Sequence, residues 1–319
     1  MKKKLLIKTI IIGFGKVSYE YNKFNKKNFL THYKAVKFHK NFKLLSFIEP
    51  NKIKRSIYSK KLKIKGYEKL SNLKNKFFPD LAIIASPTNT HVKIVKEILK
   101  NHRSIKTILC EKPFGNNYKL SKKILEECKK KKVKLYVNYM RISDPSTIKV
   151  KKIVKKFFYK HTKGVIFYDG STLNQSSHLI NLLQYWFGKV YRIIKIKSDK
   201  YPKKLLGKNF MLKFKNANLV FVGLNIKNYT YATIELISRE GRLEYKDRGA
   251  LITIQRSKKD KIFGEDYMPE KKYVRIQDDI NNYQLNVLNQ LHYSLEGKKS
   301  YLCKGSEALE TLRVINKII

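Results

Sequence analysis

The chain has 319 residues, 42% of them hydrophobic and 30% charged, which excludes a disordered polypeptide, supplies a sizeable core and predicts two domains. No apolar run reaches the ~20 residues that a membrane-spanning helix needs, which excludes a helical integral membrane protein. The formal charge of +47 comes from 71 Lys and Arg against 24 Asp and Glu, but only ten of the cations are arginine, so it reads as lysine drift in an A/T-rich genome rather than specific nucleic-acid recognition.

Met1 to Lys4 followed by Leu5-Leu6-Ile7 has the outline of a secretory leader. Lys8 and Thr9 interrupt the apolar run, however, and no small-residue cleavage site follows, so a buried parallel strand is expected instead. The run ends in Gly13-Phe14-Gly15-Lys16-Val17-Ser18, a G-x-G-x-x-S where the dinucleotide fingerprint has G-x-G-x-x-G. Gly13 would make the tight turn, and Gly15 would let a pyrophosphate approach the backbone at a helix N-terminus. Ser18 is a small residue at the position used for close helix–strand packing. Gly13, Phe14, Gly15, Lys16 and Val17 are therefore the predicted cofactor loop. A second strand, Lys43 to Glu49, ends in a carboxylate suited to the adenine ribose hydroxyls and repulsive to a 2′-phosphate. Glu49 thus favours NAD, while Lys52 and Arg55 leave NADP open. Its distance from the glycines exceeds the usual ~20 residues, which predicts an insertion around Lys23 to Thr31.

A short strand near Ile64 to Gly66 and another at Leu81 to Ser86 come next. The latter leads into Ser86-Pro87-Thr88-Asn89-Thr90-His91, at the sheet edge where α/β folds bind ligands. Pro87 turns the chain and Asn89 or Thr90 caps a helix running to Lys100. Ser86, Pro87, Thr88, Asn89 and His91 are also assigned to the cofactor. The strand Ile105 to Cys110 opens onto Glu111-Lys112-Pro113, and an ammonium leaving a buried strand is commonly functional. A helix at Leu120 to Lys132 and a strand at Lys134 to Tyr139 complete an α/β, doubly wound parallel sheet assigned to residues 1–141.

Beyond Arg141 the pattern changes to a helix at Thr147 to Phe158, a polar loop and a helix near Ser176 to Phe187. Strands are then expected at Arg192 to Ser198, Asn209 to Phe214, Asn218 to Leu224, Thr230 to Ser238, Arg242 to Lys246 and Ala250 to Gln255. Grouped strands of this kind make residues 142–319 an α+β domain with a largely antiparallel sheet, closed by helices at Ile280 to Leu295 and Gly305 to Ile318. Gly264 to Tyr267 is either a substrate or interface loop or an ordinary polar turn. Cys110, Cys128 and Cys303 have no paired spacing, which predicts no disulfide framework, no C-x-x-C metal knuckle and a cytoplasmic protein.

The combination of G-x-G, an acid after the second strand, S-P-T-N-x-H and E-K-P resembles the glucose–fructose oxidoreductase and inositol dehydrogenase family of nicotinamide-dependent oxidoreductases. The resemblance continues through Val137-Asn138-Tyr139-Met140-Arg141, Asp144-Pro145 and Ser177 to Leu183, covering roughly the first 190 residues. It implies a Rossmann domain followed by a substrate-binding and oligomerisation domain with a large, mostly antiparallel sheet, assembled as a homodimer or homotetramer. It also implies hydride transfer between NAD(P) and a secondary alcohol or ketone of a sugar, polyol or sugar nucleotide lying between the domains.

By the same resemblance Glu111 and Lys112 belong to the cofactor site, Lys112 meets the substrate hydroxyl and His178 is the general acid/base. Asn138 and Arg141 would shape the substrate pocket. Many relatives have D-x-G-x-H-x-x-D where this chain has Asn174-Gln175-Ser176-Ser177-His178-Leu179-Ile180-Asn181. An amide at the catalytic and substrate position Asn174 supplies no charge to the imidazole, so His178 is expected to be less basic and proton transfer to lean on Lys112. The alternative is a non-catalytic nucleotide-binding sensor or scaffold. No metal, membrane or specific nucleic-acid partner is expected.

Overall fold

The computed structural model describes residues 6–23, 27–73, 78–197, 207–226, 229–262, 264 and 267–319. The chain divides into two compact units, Met1–Ser143 with Asn281–Leu309, and Asp144–Ile280 with Glu310–Ile319.

In the first unit, β1 (Ile7–Ile12), β2 (Phe42–Ile48), β3 (Gly66–Tyr67), β4 (Leu81–Ile84), β5 (Thr107–Cys110) and β6 (Lys134–Val137) form one parallel sheet in the order β3-β2-β1-β4-β5-β6. Such a sheet is covered on both faces, which is why its strands are continuous apolar runs; Ile10, Ile11, Ile83 and Ile84 are all buried. The helices are α1 (His32–Phe38), α2 (Lys52–Leu62), α3 (His91–Asn101) and α4 (Tyr118–Lys130). The apolar faces read from the sequence are buried at Val95, Ile98 and Leu99 of α3 and at Ile124, Leu125 and Cys128 of α4. Strand order reverses between β1 and β4, and a ligand crevice is expected outside the carboxyl ends of these strands.

The helix expected directly after the glycine loop is interrupted. The amides of Tyr19 and Glu20 both donate to the Gly15 carbonyl, and a short 3-10 turn, Glu20–Lys23, follows. α1 begins only at His32, whose amide donates to Val17 O while that of Tyr33 donates to Ser18 O. The helical ladder therefore resumes as though residues 21–31 had been spliced out. Omitting these eleven residues puts Glu49 at 23 positions from Gly15, close to the usual ~20. Residues 24–26 of the predicted insertion lie outside the described residues.

The second unit contains α5 (Pro145–Phe157), β7 (Thr162–Tyr168), α6 (Ser177–Phe187), β8 (Val190–Ile196), β9 (Asn209–Phe214), β10 (Ala217–Gly223), β11 (Ala232–Ser238), β12 (Gly241–Lys246), β13 (Leu251–Lys259) and β14 (Tyr267–Ile276). Its eight strands are ordered β14-β13-β12-β11-β7-β10-β9-β8, and every pairing is antiparallel except that of β7 with β10. Two predictions fail here. The expected polar loop before α6 contains β7, a central strand whose Val165 to Tyr168 run was hidden between lysines and glycines. β14 was not predicted because most of its residues are exposed, leaving no apolar periodicity to read. Ser198 at the end of one predicted strand, and residues 265 and 266 of the Gly264 to Tyr267 loop, lie outside the described residues.

The chain ends in α7 (Tyr283–Leu295) and α8 (Gly305–Ile318). Residues 281–309, grouped by sequence with the second domain, count with the first unit because Val287, Leu288 and Leu291 share a buried cluster with Ile7, Ile11 and Phe47. No helix among the described residues is long and apolar enough to cross a membrane.

Candidate active site

A cleft of about 870 Å³ lies at the switch point of the first sheet, lined by the Gly13 to Val17 loop, Glu49, Ser86 and Pro87. Gly13 has φ +86°, and a Cβ there would stand 2.6 Å from the Ser86 backbone nitrogen. Only glycine lets these two loops approach so closely. At Gly15, by contrast, a Cβ would meet no atom within 4 Å, so its backbone faces open space. The Phe14 ring packs 4.3 Å from Phe47 and 5.5 Å from Tyr19, centroid to centroid, and is buried. Phe14 thus anchors the loop with its side chain and offers a ligand only its backbone. Ser18 does more than fit: its hydroxyl donates to the Gly13 carbonyl at 2.5 Å, a tie that a third glycine lacks.

Glu49, just past β2, accepts from the Phe14 amide (3.3 Å) and the Asn51 amide (2.9 Å), so its carboxylate is aimed into the glycine loop. The Arg55 guanidinium donates to the carbonyls of Glu49 (2.7 Å) and Pro50 (2.9 Å) and lies 3.7 Å from Glu68, which commits it to its own loop. Lys93 and Glu97 of α3, together with Glu68 and Lys69, also line the cleft; no motif marks them in the sequence.

Thr88, Asn89, His91, Glu111 and Lys112 are not part of this lining. Thr90 occupies the N-cap position of α3, but its hydroxyl donates to Pro87 O at 2.7 Å instead of accepting an amide, so the predicted cap is replaced by a turn closure. His91 is buried with Nδ1 at 3.0 Å from Pro113 O and Nε2 at 2.8 Å from Ser86 O. It ties the S-P-T-N segment to the E-K-P segment.

Glu111 is the centre of a network that the sequence did not show. Its Oε1 lies 2.8 Å from His32 Nε2 and accepts from Asn138 Nδ2 at 2.6 Å, while the same Asn138 nitrogen donates to Gln284 Oε1 at 3.0 Å. Burial alone would raise the Glu111 carboxyl, but the His32 and Asn138 hydrogen bonds and the Lys112 charge bring it below the usual glutamate value. The Lys112 amine is shifted down from the ordinary lysine value by burial, with Arg141 adding to the drop and Glu111 opposing it. The side chain of Arg141 is itself buried.

In the second unit His178 is half-buried in the first turn of α6, directly after a π-helical segment, Thr172–Ser176, that carries Asn174. Asn174 is exposed; its amide donates to Ser171 Oγ at 3.1 Å and its carbonyl accepts from Ser177 Oγ at 2.9 Å. Asn181 is buried, and its Nδ2 donates to Thr311 Oγ1 at 2.9 Å, whose hydroxyl donates in turn to Gln184 Oε1 at 2.7 Å. The amide at 181 thus supplies a donor that a carboxylate lacks.

Residues 7–139 match the model of a family described as "Oxidoreductase family, NAD-binding Rossmann fold". An inositol 2-dehydrogenase from Rubrobacter xylanophilus is 37% identical over 76 residues, which cover 24% of this chain and 21% of that enzyme, about a fifth of its length. The fold is similar to that of a dehydrogenase from Chromobacterium violaceum, with a TM-score of 0.79 and 13% identity over 98% of this chain and 94% of that one. It is also similar to the WlbA dehydrogenase from Bordetella pertussis in complex with NADH and UDP-GlcNAcA, with a TM-score of 0.75 and 14% identity over 98% and 95% of the two chains.

Proposed function

We propose that the chain, whose residues 7–139 match the NAD-binding Rossmann model of the glucose–fructose oxidoreductase and inositol dehydrogenase family, transfers a hydride between a nicotinamide dinucleotide and a secondary alcohol or ketone of a sugar, polyol or sugar nucleotide. The observation that carries this reading is the switch-point cleft, in which Gly15 presents bare backbone to open space and Glu49 closes the far side. The cleft volume falls within the ~300–1,000 Å³ of small-molecule sites, and the donor set suits a pyrophosphate and a ribose. NAD is favoured over NADP, since the Glu49 carboxylate repels a 2′-phosphate and Arg55 is already bonded to backbone carbonyls.

Bound NAD supplies the hydride acceptor. The Gly13 to Val17 backbone holds the pyrophosphate and Glu49 accepts from the ribose hydroxyls. Ser86 and Pro87 border the same cleft, and His91 holds that loop through its hydrogen bond to Ser86 O. The nicotinamide would supply the acceptor for the carbinol hydride, Lys112 or His178 would take up the hydroxyl proton, and Arg141 would help shape the substrate pocket. The first unit is the cofactor domain on this reading, and the sheet of the second supplies the contacts of a homodimer or homotetramer in the cytoplasm.

Titration of the purified protein with NADH, NADPH and ATP tests the cofactor site at physiological ionic strength, where surface attraction is screened beyond ~8 Å. Saturable binding of NADH that ATP does not match is expected; equal, salt-sensitive binding of all three defeats the reading. Gly15→Ala is expected to keep the melting temperature of the native protein and to weaken NADH about tenfold or more, ~1.4 kcal/mol, because its methyl group occupies the space the ligand needs. Asn174→Asp places a carboxylate one helical turn before His178 and is expected to move the imidazole limb of the pH–rate profile upward; an unchanged profile removes position 174 from the mechanism. One observation favours the sensor or scaffold alternative: amides stand at both 174 and 181. That alternative predicts NADH binding with no turnover across a sugar and sugar-nucleotide panel.

A further inference from the structure

We propose that Glu111 is a positioning residue, held by two arms, one starting at the residue that follows the inserted segment and the other within that segment, and that it fixes a negative charge beside Lys112. The inference rests on the reading of Lys112 given above. The first arm is His32, which resumes the interrupted helix through its amide bond to Val17 and places Nε2 at 2.8 Å from Glu111 Oε1. Its side chain is 1% exposed, so the ring has no freedom to turn away.

The second arm runs through α7. The Phe29 amide donates to Asn281 O (2.7 Å), the Phe29 carbonyl accepts from the Gln284 amide (3.1 Å), and Asn28 Nδ2 donates to Asn281 Oδ1 (2.8 Å). These bonds pin the start of α7, where Gln284 Oε1 accepts from Asn138 Nδ2 and orients that amide toward Glu111. The two hydrogens of one amide nitrogen are thus divided between Gln284 and Glu111.

His32, Asn138 and Gln284 are all buried. Buried polar groups in this number weaken a core unless each is bonded, and apolar residues of similar volume would stabilise it at least as well. What the network achieves instead is a carboxylate with one position. The titratable and charged groups that bear on it are His32 and Lys112 around Glu111, beside the Asn138 hydrogen bond, and Glu111 and Arg141 around Lys112. Glu111 is the neighbour that holds the Lys112 amine up against burial and Arg141, so the place of its carboxylate tunes the lysine. The insertion is therefore a brace for the E-K-P segment in addition to being a surface addition.

The test needs no substrate. Full-length protein is labelled with trace acetic anhydride across the lysine titration range, and acetylation of Lys112 is read by peptide mass spectrometry. Glu111→Gln is expected to lower the Lys112 midpoint by about 1–3 pH units. His32→Ala and Gln284→Ala each cut one arm, free the carboxylate to turn to water and lower the midpoint by a smaller amount. His32→Gln retains an N–H donor and restores the wild-type midpoint. If either folded arm variant titrates like wild type, the proposal is overturned, and Gln284→Ala decides should His32→Ala not fold. A separate result, normal turnover by Lys112→Ala, would overturn the proton-handling role given to Lys112 while leaving the labelling outcome intact.

Discussion

Lys112→Ala is expected to abolish hydride transfer and to leave NADH binding within a few-fold of wild type. Lys112 follows β5 and stands outside the lining of the dinucleotide cleft, so its loss removes no wall from that site. What it removes is a proton-handling group, and deletion of a positioned acid or base typically costs about 10²–10⁴-fold in rate. The amine is poised for this work because burial, with Arg141 in support, lowers its proton affinity below that of an exposed lysine. The sign follows directly. As pH rises, Lys112 becomes neutral earlier than a surface lysine, and alcohol oxidation, which needs a base, increases along a limb whose midpoint lies below the ordinary lysine value of 10.5. Lys112→Arg retains the charge but cannot deprotonate in this range, so it is expected to bind NADH and to lose that limb. Measuring turnover against a sugar and sugar-nucleotide panel beside NADH titration separates the two effects. Substantial turnover by Lys112→Ala would show that His178 or another group carries the proton.

The sequence made the first sheet legible because its strands are buried on both faces, and burial of that kind writes itself as Ile10-Ile11-Ile12 or Leu81-Ala82-Ile83-Ile84. The glycine loop and Glu49 were legible for a related reason: a tight turn of positive φ demands glycine just past β1, and Glu49 just past β2 lines the same cleft. The second sheet was harder. β14 exposes most of its length, and β7 has Lys163 and Gly164 ahead of its apolar run, so neither shows the alternation of a half-buried strand. The Glu111 network could not be read at all. His32 is displaced from the glycines by the insertion, and Gln284 lies more than 170 residues from Glu111. Nothing in the spacing of a buried His and Asn predicts that they converge on one carboxylate oxygen, or that Gln284 accepts from the same Asn138 nitrogen. The resemblance supplied roles for Lys112 and His178 and assigned Asn138 to substrate; in the structure the Asn138 amide nitrogen donates to Glu111 and Gln284.

Gly13→Ala is expected to destabilise the first unit by about 2–6 kcal/mol and to eliminate NADH binding with it. Two costs add at this position. A φ of +86° is strained for any residue with a Cβ, at about 1–3 kcal/mol. The new methyl group would also stand 2.6 Å from Ser86 N and 2.8 Å from Ala85 C, and backbone cannot swing aside as a flexible side chain can; forcing extra volume into packed structure costs about 1–3 kcal/mol more. Against a domain stability of about 5–15 kcal/mol, the sum is enough to populate unfolded protein. The loss is local in origin but wide in effect, because Gly13 joins three strands: its amide donates to Ile48 O, its carbonyl accepts from Ser18 Oγ, and the adjoining Ile12 carbonyl accepts from the Ala85 amide. Displacing it shifts the ends of β1, β2 and β4 together. Gly15→Ala is the matched control, since its methyl group meets empty space and its backbone conformation is ordinary. Denaturant unfolding and NADH titration of the two variants should therefore diverge: Gly13→Ala loses stability and binding, whereas Gly15→Ala loses binding alone. Equal stability for both would mean that the Gly13 turn yields more easily than its contacts imply, and wild-type NADH affinity in both would remove the glycine loop from the cofactor site.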